Sequence, residues 1–434
     1  MSDFEVFPGG LLTGDINVPG DKSVSHRSVM LGALATGITH VSGLLEGEDV
    51  LATIAAMRSM GVHINGPDQG NLTIYGVGHG GLKQPDSPLD MGNSGTAMRL
   101  LIGLLAGQNM NVTLIGDASL NSRPMERVAK PLRTMGANIQ TNEGCPPVKI
   151  LPINHGLNGI HHDLNIASAQ MKSAILLATL GAVGVSVIDE PGVTRDHSER
   201  MLQGFGCEIT WARQRVSFRG GQKLVATNVH VPADISSAAF FIAGAAMTPG
   251  SEVRLIKVGV NPTRTGVIDI LRLMGADISI ENEHVVAGEP VADICIIGTK
   301  LQGVDIPHEL VSLAIDEFPI LCIAAASASG TTSVRGAEEL RVKESDRITA
   351  MATGLQKLGI EVAEVPDGLD IHGGQLQGGI VDSFTDHRIA MAFSIAGLIS
   401  DGKITIRDCN NVGTSFPGFL HLAKKHGLQV RVAE

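Results

Sequence analysis

Aromatic residues are scarce in this sequence, at 3% of 434 residues, with one tryptophan and one tyrosine. Proteins that bind single-stranded nucleic acid usually stack the bases on several aromatic side chains. The formal net charge of −11 at pH 7 is also of the wrong sign for contact with a phosphate backbone. We therefore predict no nucleic-acid partner, although basic residues could still converge around a small anion.

Cysteine is rare and widely spaced. The five cysteines form no CxxC pair, which argues against a disulfide framework or a zinc site; they are Cys145, Cys207, Cys295, Cys322 and Cys409. His161 and His162 could attract a metal, but adjacent residues in an extended segment point to opposite faces. We predict reduced thiols, no metal and no cofactor.

Long apolar runs are also missing. The most apolar stretches, residues 175–188 and 238–247, are shorter than the roughly 18 residues of a membrane-spanning helix and are interrupted by Gly, Ser or Thr. The first ten residues lack the basic start and apolar core of a secretory signal. These absences predict a cytoplasmic protein with no membrane partner.

What the sequence does contain is enough apolar residues for two cores, since 43% of the chain is hydrophobic.

A glycine that follows a helix-like apolar pattern recurs at intervals of roughly 70 residues, longer than the repeats of solenoids. Such a glycine favours the left-handed conformation that ends a helix. The six positions are Gly61, Gly136, Gly206, Gly275, Gly359 and Gly427.

Six further helical segments are rich in Ala, Gly, Leu and Ser and are apolar on nearly every face. This pattern is typical of helices inside a core. We predict a mixed α/β fold with two similar domains, each built from three βαβαββ-type repeats around buried helices. The best domain boundary lies at residues 231–233, just before the fourth buried helix.

Several predicted helices start with cations. The buried helices start near Lys22, Arg27, Gln170, His387 and Arg388, and the outer helices near Arg123, Arg195, Arg264, Lys343 and Arg347. A helix N-terminus already carries partial positive charge, so cations there are unfavourable unless an anion binds between them. Ordinary capping would explain any single helix, with caps at Ser23, Ser94, Asp234, Asp316 and Asp386. Six repeats that agree favour an anion site.

Two glycine-rich segments resemble nucleotide motifs only in part. Residues 76–81 match G-x-G-x-x-G, but Pro85 and Pro88 follow where the phosphate-binding helix should run. Residues 20–23 lack the earlier glycine spacing of a P-loop. We predict no nucleotide site at either segment.

Six motifs at the helix starts resemble those of the 5-enolpyruvylshikimate-3-phosphate synthase family, and the match runs through nearly the whole chain. They are PGDKSVSHR at 19–27, GNSGTAMR at 92–99, RPM at 123–125, SAQ at 168–170, RVKESDR at 341–347 and DHR at 386–388. The resemblance implies the inside-out α/β barrel fold of the enolpyruvyl transferases. It also implies domains of residues 20–233 and of residues 1–19 plus 234–434, with the active site in the cleft between them.

The resemblance further implies a reaction, in which the enolpyruvyl group of phosphoenolpyruvate moves to the 5-hydroxyl of shikimate-3-phosphate and phosphate is released, a step of chorismate and aromatic amino-acid biosynthesis. It assigns contacts with shikimate-3-phosphate to Lys22, Ser23, Arg27, Ser168, Ala169, Gln170, Arg195, Asp316 and Lys343. It assigns contacts with phosphoenolpyruvate to Lys22, Gly95, Arg123, Gln170, Arg347 and Arg388. The planar guanidinium groups suit both a carboxylate and a phosphate.

The implied reaction needs an acid and a base in one site. We predict Asp316 as the base for the hydroxyl and Glu344 as the proton donor to the methylene. Lys22 would stabilise or protonate the leaving phosphate, and His387 could share in proton transfer. Asp316 could instead be mainly a helix cap, and Glu344 mainly an ion-pair partner. Glyphosate, which the family binds in its phosphoenolpyruvate pocket, is an expected inhibitor.

The chain departs from the family pattern at Thr414, where many members have Lys, and at Leu100, where many have Pro.

The nearest alternative function is that of the enolpyruvyl transferase that acts on UDP-N-acetylglucosamine and uses a loop cysteine, but no cysteine precedes Cys145 here. A second rival is a non-catalytic anion-binding repeat protein. Asp316 and Glu344 argue against that rival, because carboxylates weaken pure anion binding.

Overall fold

A computed structural model describes residues 2–286 and 288–433. Its contacts divide the chain into two compact units. The N-terminal unit comprises Gly20–Val231 and Val286–Glu289, and the C-terminal unit comprises Met1–Pro19, Pro232–Val285 and Pro290–Glu434. No helix in the described part of the chain is long and apolar enough to span a membrane.

The helices of the described residues alternate between a buried helix and an outer helix in each repeat. Their bounds are α1 (Lys22–Leu34), α2 (Glu48–Ser59), α3 (Gly95–Leu105), α4 (Ala118–Asn121), α5 (Glu126–Thr134), α6 (Ala169–Thr179), α7 (His197–Gly204), α8 (Ile235–Ala246), α9 (Gly266–Leu273), α10 (His308–Val311), α11 (Phe318–Ser327), α12 (Arg347–Lys357), α13 (His387–Ile395) and α14 (Phe419–Lys425). Short 3₁₀ turns cover Glu338–Val342, Ala396–Leu398 and Asn410–Thr414.

The strands are short. They are β1 (Phe4–Val6), β2 (Thr13–Ile16), β3 (Thr36–Ser42), β4 (His63–Asp68), β5 (Asn71–Val77), β6 (Leu89–Asp90), β7 (Val112–Ile115), β8 (Asn138–Asn142), β9 (Cys145–Leu151), β10 (Leu157–Asn158), β11 (His161–Asp163), β12 (Ala182–Val183), β13 (Val185–Asp189), β14 (Ile209–Ala212), β15 (Arg215–Arg219), β16 (Val229–His230), β17 (Glu252–Gly259), β18 (Asp277–Val286), β19 (Glu289–Ile297), β20 (Thr331–Val334), β21 (Glu361–Val365), β22 (Gly368–His372), β23 (Gly379–Asp382), β24 (Ile404–Arg407) and β25 (Val430–Val432).

The sheets of the N-terminal unit repeat one topology. In the N-terminal unit the four-stranded sheets have the orders β16-β3-β5-β4, β6-β7-β9-β8 and β11-β13-β15-β14. In each of them the first pair of strands is parallel and the other two pairs are antiparallel. The C-terminal unit has the sheets β18-β19-β17-β2, β20-β22-β21 and β23-β24-β1-β25. The prediction of three similar repeats per domain is confirmed.

The buried helices form the centre of each unit. In the C-terminal unit α8, α11 and α13 contact one another, and in the N-terminal unit α3 contacts both α1 and α6. Each unit has its own apolar cluster, built around these helices. The all-round apolar pattern of the six segments is explained, because each helix is enclosed by its neighbours and by the sheets.

The six repeat glycines all follow the outer helices and all have φ between +85° and +117°. Only glycine adopts this left-handed region without steric cost, so the repeating phrase records six helix ends of the same kind. The predicted helix starts are less accurate. The outer helices begin two or three residues after Arg123, Arg195 and Arg264, so these cations lie in the preceding turns.

Candidate active site

The start of α1 carries three of the predicted site residues. Asp21 accepts a hydrogen bond from the Val24 amide at 2.8 Å, so Asp21, rather than the predicted Ser23, caps the helix. The Lys22 ammonium forms an ion pair with Asp49 of α2 and keeps 19% of its side chain exposed. The helix start therefore presents a partly exposed cation beside backbone N–H groups, an arrangement that suits an anion.

Arg27 lies one turn later and is buried. Its Nε donates to Ser198 Oγ at 2.8 Å and its Nη2 donates to Ser173 Oγ at 2.7 Å. Its Nη1 donates to the Ser23 carbonyl oxygen at 3.0 Å. These partners come from α1, α6 and α7, so the guanidinium is fixed by three helices.

Arg27 has both carboxylates and a second guanidinium group, that of Arg195, in its surroundings. The pKa of Arg27 is lowered from 12.5 to about 10, chiefly by burial; the carboxylates of Glu199 and Asp21 act to raise this pKa, and the neighbouring Arg195 acts to lower it. The guanidinium is therefore still charged at neutral pH. Two guanidinium groups close enough to repel each other are stabilised when an anion binds between them.

The start of α6 presents a fixed amide. Ser168 Oγ caps this helix by accepting a hydrogen bond from within its first turn, at 3.4 Å, and Ala169 and Gln170 follow. Gln170 Oε1 accepts from Arg99 Nη1 at 2.7 Å, and Gln170 Nε2 donates to Thr96 Oγ1 at 3.0 Å. Both ends of the Gln170 amide are thus oriented by α3.

Gly95 is the first residue of α3, and two guanidinium groups converge on it. A Cβ atom at Gly95 would lie 3.2 Å from Nη1 of both Arg99 and Arg123. Arg123 Nη2 also donates to Asn93 Oδ1 at 2.6 Å and to Ser119 Oγ at 3.2 Å. A helix N-terminus with two neighbouring guanidinium groups and no side chain in the way is well suited to a phosphate or carboxylate.

In the C-terminal unit, three cations surround the carboxylate of Asp316. Its Oδ1 lies 3.5 Å from Lys343 Nζ and 3.4 Å from Arg347 Nη1, and its Oδ2 lies 3.9 Å from Arg388 Nη2. The alternative that Asp316 is a helix cap is wrong, because α11 begins at Phe318 with no side-chain cap. Asp316 and the three predicted cations therefore form one cluster.

Arg347 is held on two sides by carboxylates. Its Nε donates to Asp386 Oδ2 at 2.8 Å, and its Nη2 donates to Glu344 Oε2 at 2.7 Å. Burial alone would lower the pKa of Arg347, but Asp386, Glu344 and Asp316 hold that pKa above its ordinary value. Burial alone would raise the pKa of Asp386, and Arg347 holds it below its ordinary value. Both groups are therefore ionised at neutral pH.

His387 and Arg388 are the first two residues of α13. Arg388 Nη1 donates to the Asp316 carbonyl oxygen at 2.7 Å and lies 3.4 Å from Glu317 Oε1. Glu317 is buried and also accepts a hydrogen bond from the Ser236 hydroxyl at the start of α8. His387 is the first residue of α13 and is buried. The starts of α8, α11 and α13 thus meet around the Arg388 side chain.

Comparison with known proteins shows the family of this chain. The family model described as EPSP synthase (3-phosphoshikimate 1-carboxyvinyltransferase) matches residues 6–422. This chain belongs to the EPSP synthase family. A relative from Methylococcus capsulatus named 3-phosphoshikimate 1-carboxyvinyltransferase is 59% identical over 431 residues, which cover 99% of this chain and 98% of the relative.

Solved structures agree with the EPSP synthase family assignment. The structure of EPSP synthase from Acinetobacter baumannii is 54% identical, with a TM-score of 0.90 and complete coverage of both chains. The enolpyruvyl transferase NikO from Streptomyces tendae is 17% identical, with a TM-score of 0.80 and coverage of 100% of this chain and 99% of that chain. The latter likeness concerns the fold alone, and the predicted enolpyruvyl transferase fold is confirmed.

Five residues of this EPSP synthase family member contact predicted site residues but were not themselves predicted as site residues. Asn93 and Arg99 lie in the GNSGTAMR motif, and Arg99 stands four residues after Gly95, on the same helix face; that spacing could have revealed it. Asp386 and Glu317 are next to predicted residues in the sequence, which is weaker evidence for a site residue than the helical spacing of Arg99. No sequence pattern indicated Asp49, because only the packing of α2 against α1 brings it to Lys22.

The two departures from the EPSP synthase family pattern are both buried. Leu100 lies within α3, directly after Arg99. The Thr414 hydroxyl donates to the Asn411 carbonyl oxygen at 2.7 Å. Thr414 therefore uses its donor in its own 3₁₀ turn, and it is too short to act as the lysine of other members.

One group of possible metal ligands occurs among the described residues. Ligand atoms of His161, Asp163 and Asp189 lie within 4.8 Å of one another. His161 Nε2 and Asp189 Oδ2 are 2.7 Å apart, and 82% of the Asp163 side chain is exposed. His162 is not part of this group, as expected for neighbours in an extended strand. The absence of a metal site stays a prediction.

Proposed function

We propose that two groups of residues carry the reaction of the family: those at the starts of α1, α3 and α6 in the N-terminal unit, and the Asp316 cluster in the C-terminal unit. The chain is a 3-phosphoshikimate 1-carboxyvinyltransferase: it transfers the enolpyruvyl group of phosphoenolpyruvate to the 5-hydroxyl of shikimate-3-phosphate and releases phosphate. Its substrates are small molecules, and its reaction belongs to the shikimate pathway and aromatic amino-acid biosynthesis.

Shikimate-3-phosphate is bound, in this proposal, by residues around α1, α6 and Asp316. The phosphate lies with Arg27 and Arg195, whose mutual repulsion an anion would relieve. The oriented Gln170 amide supplies a donor or an acceptor for the ring hydroxyls. The full proposed set is Lys22, Ser23, Arg27, Ser168, Ala169, Gln170, Arg195, Asp316 and Lys343.

Phosphoenolpyruvate carries a carboxylate and a phosphate, and each needs cations. In the N-terminal unit the start of α3, with Gly95 and Arg123, suits one tetrahedral group. In the C-terminal unit Arg347 and Arg388 provide planar groups for the other anionic end. The proposed set is Lys22, Gly95, Arg123, Gln170, Arg347 and Arg388. Members of this proposed set occur in both units.

Proton transfer is assigned to carboxylates. Asp316 takes the proton of the 5-hydroxyl as its oxygen bonds to C2 of phosphoenolpyruvate, and Glu344 gives a proton to the methylene, which makes a methyl group. In the second step the methyl group returns a proton to Glu344, the enol double bond is restored, and the C2–O bond to phosphate breaks. The proton that Asp316 took leaves with the phosphate, so both carboxyl groups return to their starting states. Lys22 stabilises the leaving phosphate. His387, at the start of α13, is the remaining candidate for proton transfer.

The observation that carries these roles is the Asp316 carboxylate with three cations within 4 Å. A base must be ionised to accept a proton, and neighbouring cations attract its negative charge. The same cations would bind the anionic substrate next to the base. Glu344 is bonded to Arg347 at 2.7 Å, which places the second carboxylate in the same cluster.

A phosphate-release assay tests this proposal. We expect release with phosphoenolpyruvate plus shikimate-3-phosphate and none with phosphoenolpyruvate plus UDP-N-acetylglucosamine. Release with the UDP-sugar would favour the rival transferase, and no release with either acceptor would favour an anion-binding protein.

The Cys145 thiol lies 3.7 Å from the Ser122 carbonyl, next to Arg123, so Cys145→Ser is a useful further variant. Unchanged turnover in that variant is expected, since the proposed mechanism does not use a thiol.

Two further parts of the proposal concern inhibition and location. Glyphosate is proposed to compete with phosphoenolpyruvate at the start of α3, where Gly95 leaves room for a phosphonate. A cytoplasmic location is proposed from the sequence, as is the absence of nucleic-acid and membrane partners. Competition kinetics with phosphoenolpyruvate test the first, and fractionation of cells that express the protein tests the second.

A further inference from the structure

A buried lysine in the N-terminal unit has no part in the mechanism above. The Lys172 ammonium in α6 lies 2.8 Å from Glu190 Oε1 and 2.8 Å from Glu199 Oε1. The Lys172 side chain is 2% exposed, and those of Glu190 and Glu199 are 1% and 0% exposed. We call these three residues the Lys172 triad.

The triad is costly to bury. Burial alone would lower the pKa of Lys172, but the two carboxylates hold it above its ordinary value, and burial raises the pKa of Glu199. Well-packed apolar residues of similar volume often stabilise a protein as much as a buried ion pair or more. A contribution to stability is therefore a weak explanation for these three buried charges. The residues that the triad connects indicate its role.

One arm of the triad joins α6 to α7 beneath Arg27. Glu199 follows Ser198 in α7, and Lys172 precedes Ser173 in α6. Ser198 Oγ donates to Ser173 Oγ at 2.7 Å, and both hydroxyls accept from the Arg27 guanidinium. The Lys172–Glu199 pair therefore fixes the spacing of the two helices that hold Arg27.

The other arm fixes the loop that carries Arg195. Glu190 directly follows β13, and its second carboxylate oxygen accepts a hydrogen bond from the Thr194 hydroxyl. Thr194 is buried and adjoins Arg195. Lys172 is thus linked through Glu190 to the backbone next to Arg195, and through Glu199 to the partners of Arg27.

We propose that Lys172 is a positioning residue for binding of the phosphorylated acceptor, because it aligns the two guanidinium groups assigned to the acceptor phosphate. This inference rests on the proposed function. It predicts a selective effect: loss of the triad disturbs Arg27 and Arg195, whereas Gly95 and Arg123, on α3 and the turn before α5, keep their own partners.

The test compares steady-state kinetics of the wild type and of Lys172→Met. We expect the KM for shikimate-3-phosphate to rise at least about tenfold, with the KM for phosphoenolpyruvate, measured at saturating acceptor, changed less than about threefold. Lys172→Arg keeps the charge and two-sided hydrogen bonding, and we expect it to restore the acceptor KM to within about threefold of the wild type.

Lys172→Met leaves two buried carboxylates without their cation and could fail to fold. The triple variant Lys172→Met/Glu190→Gln/Glu199→Met removes all three charges, and the amide introduced at position 190 keeps an acceptor for the Thr194 hydroxyl. We expect this variant to fold and to show the same selective rise in acceptor KM. Ile150→Ala, which opens a cavity at a buried core residue in β9 of the same unit, is the control for loss of stability alone.

The outcomes separate the two proposals. If the wild type has no activity with phosphoenolpyruvate and shikimate-3-phosphate, the proposed function fails. If the wild type is active and the folded triple variant has a normal acceptor KM, the role of Lys172 is overturned. An equal rise in the acceptor KM of Ile150→Ala, at a similar loss of melting temperature, would also overturn it.

Discussion

A methyl group added at Gly95 would lie 3.2 Å from the terminal nitrogens of Arg99 and Arg123. Both contacts are with the ends of long, flexible side chains, so an alanine can be accommodated at this position by a small shift of the two guanidinium groups. The methyl would occupy space at the start of α3, where we place the anionic group of phosphoenolpyruvate. The consequence is expected in ligand selectivity more than in stability.

Gly95→Ala is therefore expected to weaken glyphosate more than phosphoenolpyruvate. Glyphosate is longer than the substrate, so it can shift less within the pocket to avoid a steric clash with the added methyl. The inhibition constant for glyphosate and the KM for phosphoenolpyruvate, measured for both proteins, give the comparison. Equal losses for the two ligands would show that the position does not discriminate by length.

Asp316→Asn tests the proposed base at nearly constant side-chain size. We expect kcat to fall by about 10²–10⁴, the usual contribution of a general base, with KM values within about tenfold of the wild type. Asp401→Asn, at an exposed bend of the same unit, is the control. Near-normal turnover of Asp316→Asn would remove this carboxylate from the mechanism.

At the scale of elements, the starts of the buried helices bring the site residues together. Asp386 shows how, because it caps α13 through the Arg388 amide at 2.9 Å and also accepts from Arg347 Nε. One buried carboxylate thus fixes the helix that carries Arg388 and the helix that begins with Arg347. The caps at Ser94, Asp234 and Asp386 are confirmed, and each lies at the N-terminus of a buried helix.

Asp386→Asn is expected to destabilise the protein by about 3–5 kcal/mol near neutral pH, the cost of breaking a buried pair. The pKa of Asp386 is lowered in the folded state from 3.8, so its contribution is present above about pH 4 and is lost as pH falls through the folded-state pKa. The difference in unfolding free energy between wild type and variant should therefore shrink below about pH 4. Denaturant titrations between pH 3 and 7 measure it, and a difference that grows on acidification would contradict this assignment.

At the scale of the whole molecule, each unit has a separate apolar core. Phe241 of α8 is fully buried in the C-terminal unit, with ring centroids 6.2 Å from those of Phe416 and Phe419. The single tryptophan, Trp211, lies in β14 of the N-terminal unit, and its Nε1 donates to Asp196 Oδ2 at 3.2 Å. Tryptophan fluorescence therefore reports on one of the two cores.

Phe241→Ala is expected to cost about 3–5 kcal/mol in the C-terminal unit. If the cores unfold separately, the variant lowers the midpoint measured by circular dichroism and leaves the Trp211 fluorescence midpoint unchanged. Phe218→Ala is the matched variant in the N-terminal unit, where buried Phe218 pairs with Ile209 of β14, and it should shift the fluorescence midpoint. Equal shifts of both signals in Phe241→Ala would show one cooperative transition.

Much of the fold could be predicted because its determinants are local. The six glycines mark helix ends through their own backbone preference, and the apolar segments mark buried helices through their composition. The starts of the outer helices were predicted less well, by two or three residues, because cations such as Arg123 and Arg264 lie in turns whose shape depends on the sheet below. Asp21 in place of Ser23 as the cap of α1 is a similar case, since Asp and Ser are both favoured cap residues and they lie two positions apart.

The repeat, the fold class, the family and the set of candidate residues could all be predicted from the amino-acid sequence, because helix patterns and motifs are properties of neighbours along the chain. Which charged side chains lie next to each other depends on the packing of the folded chain. Asp316 lies within 4 Å of Lys343, Arg347 and Arg388 although Arg388 is 72 residues away in the chain. Lys172 of α6 likewise meets Glu190, which follows β13, and Glu199 of α7 only in the folded chain. Ion pairs and hydrogen bonds act over a few ångströms of space, and only packing brings such distant residues within that range.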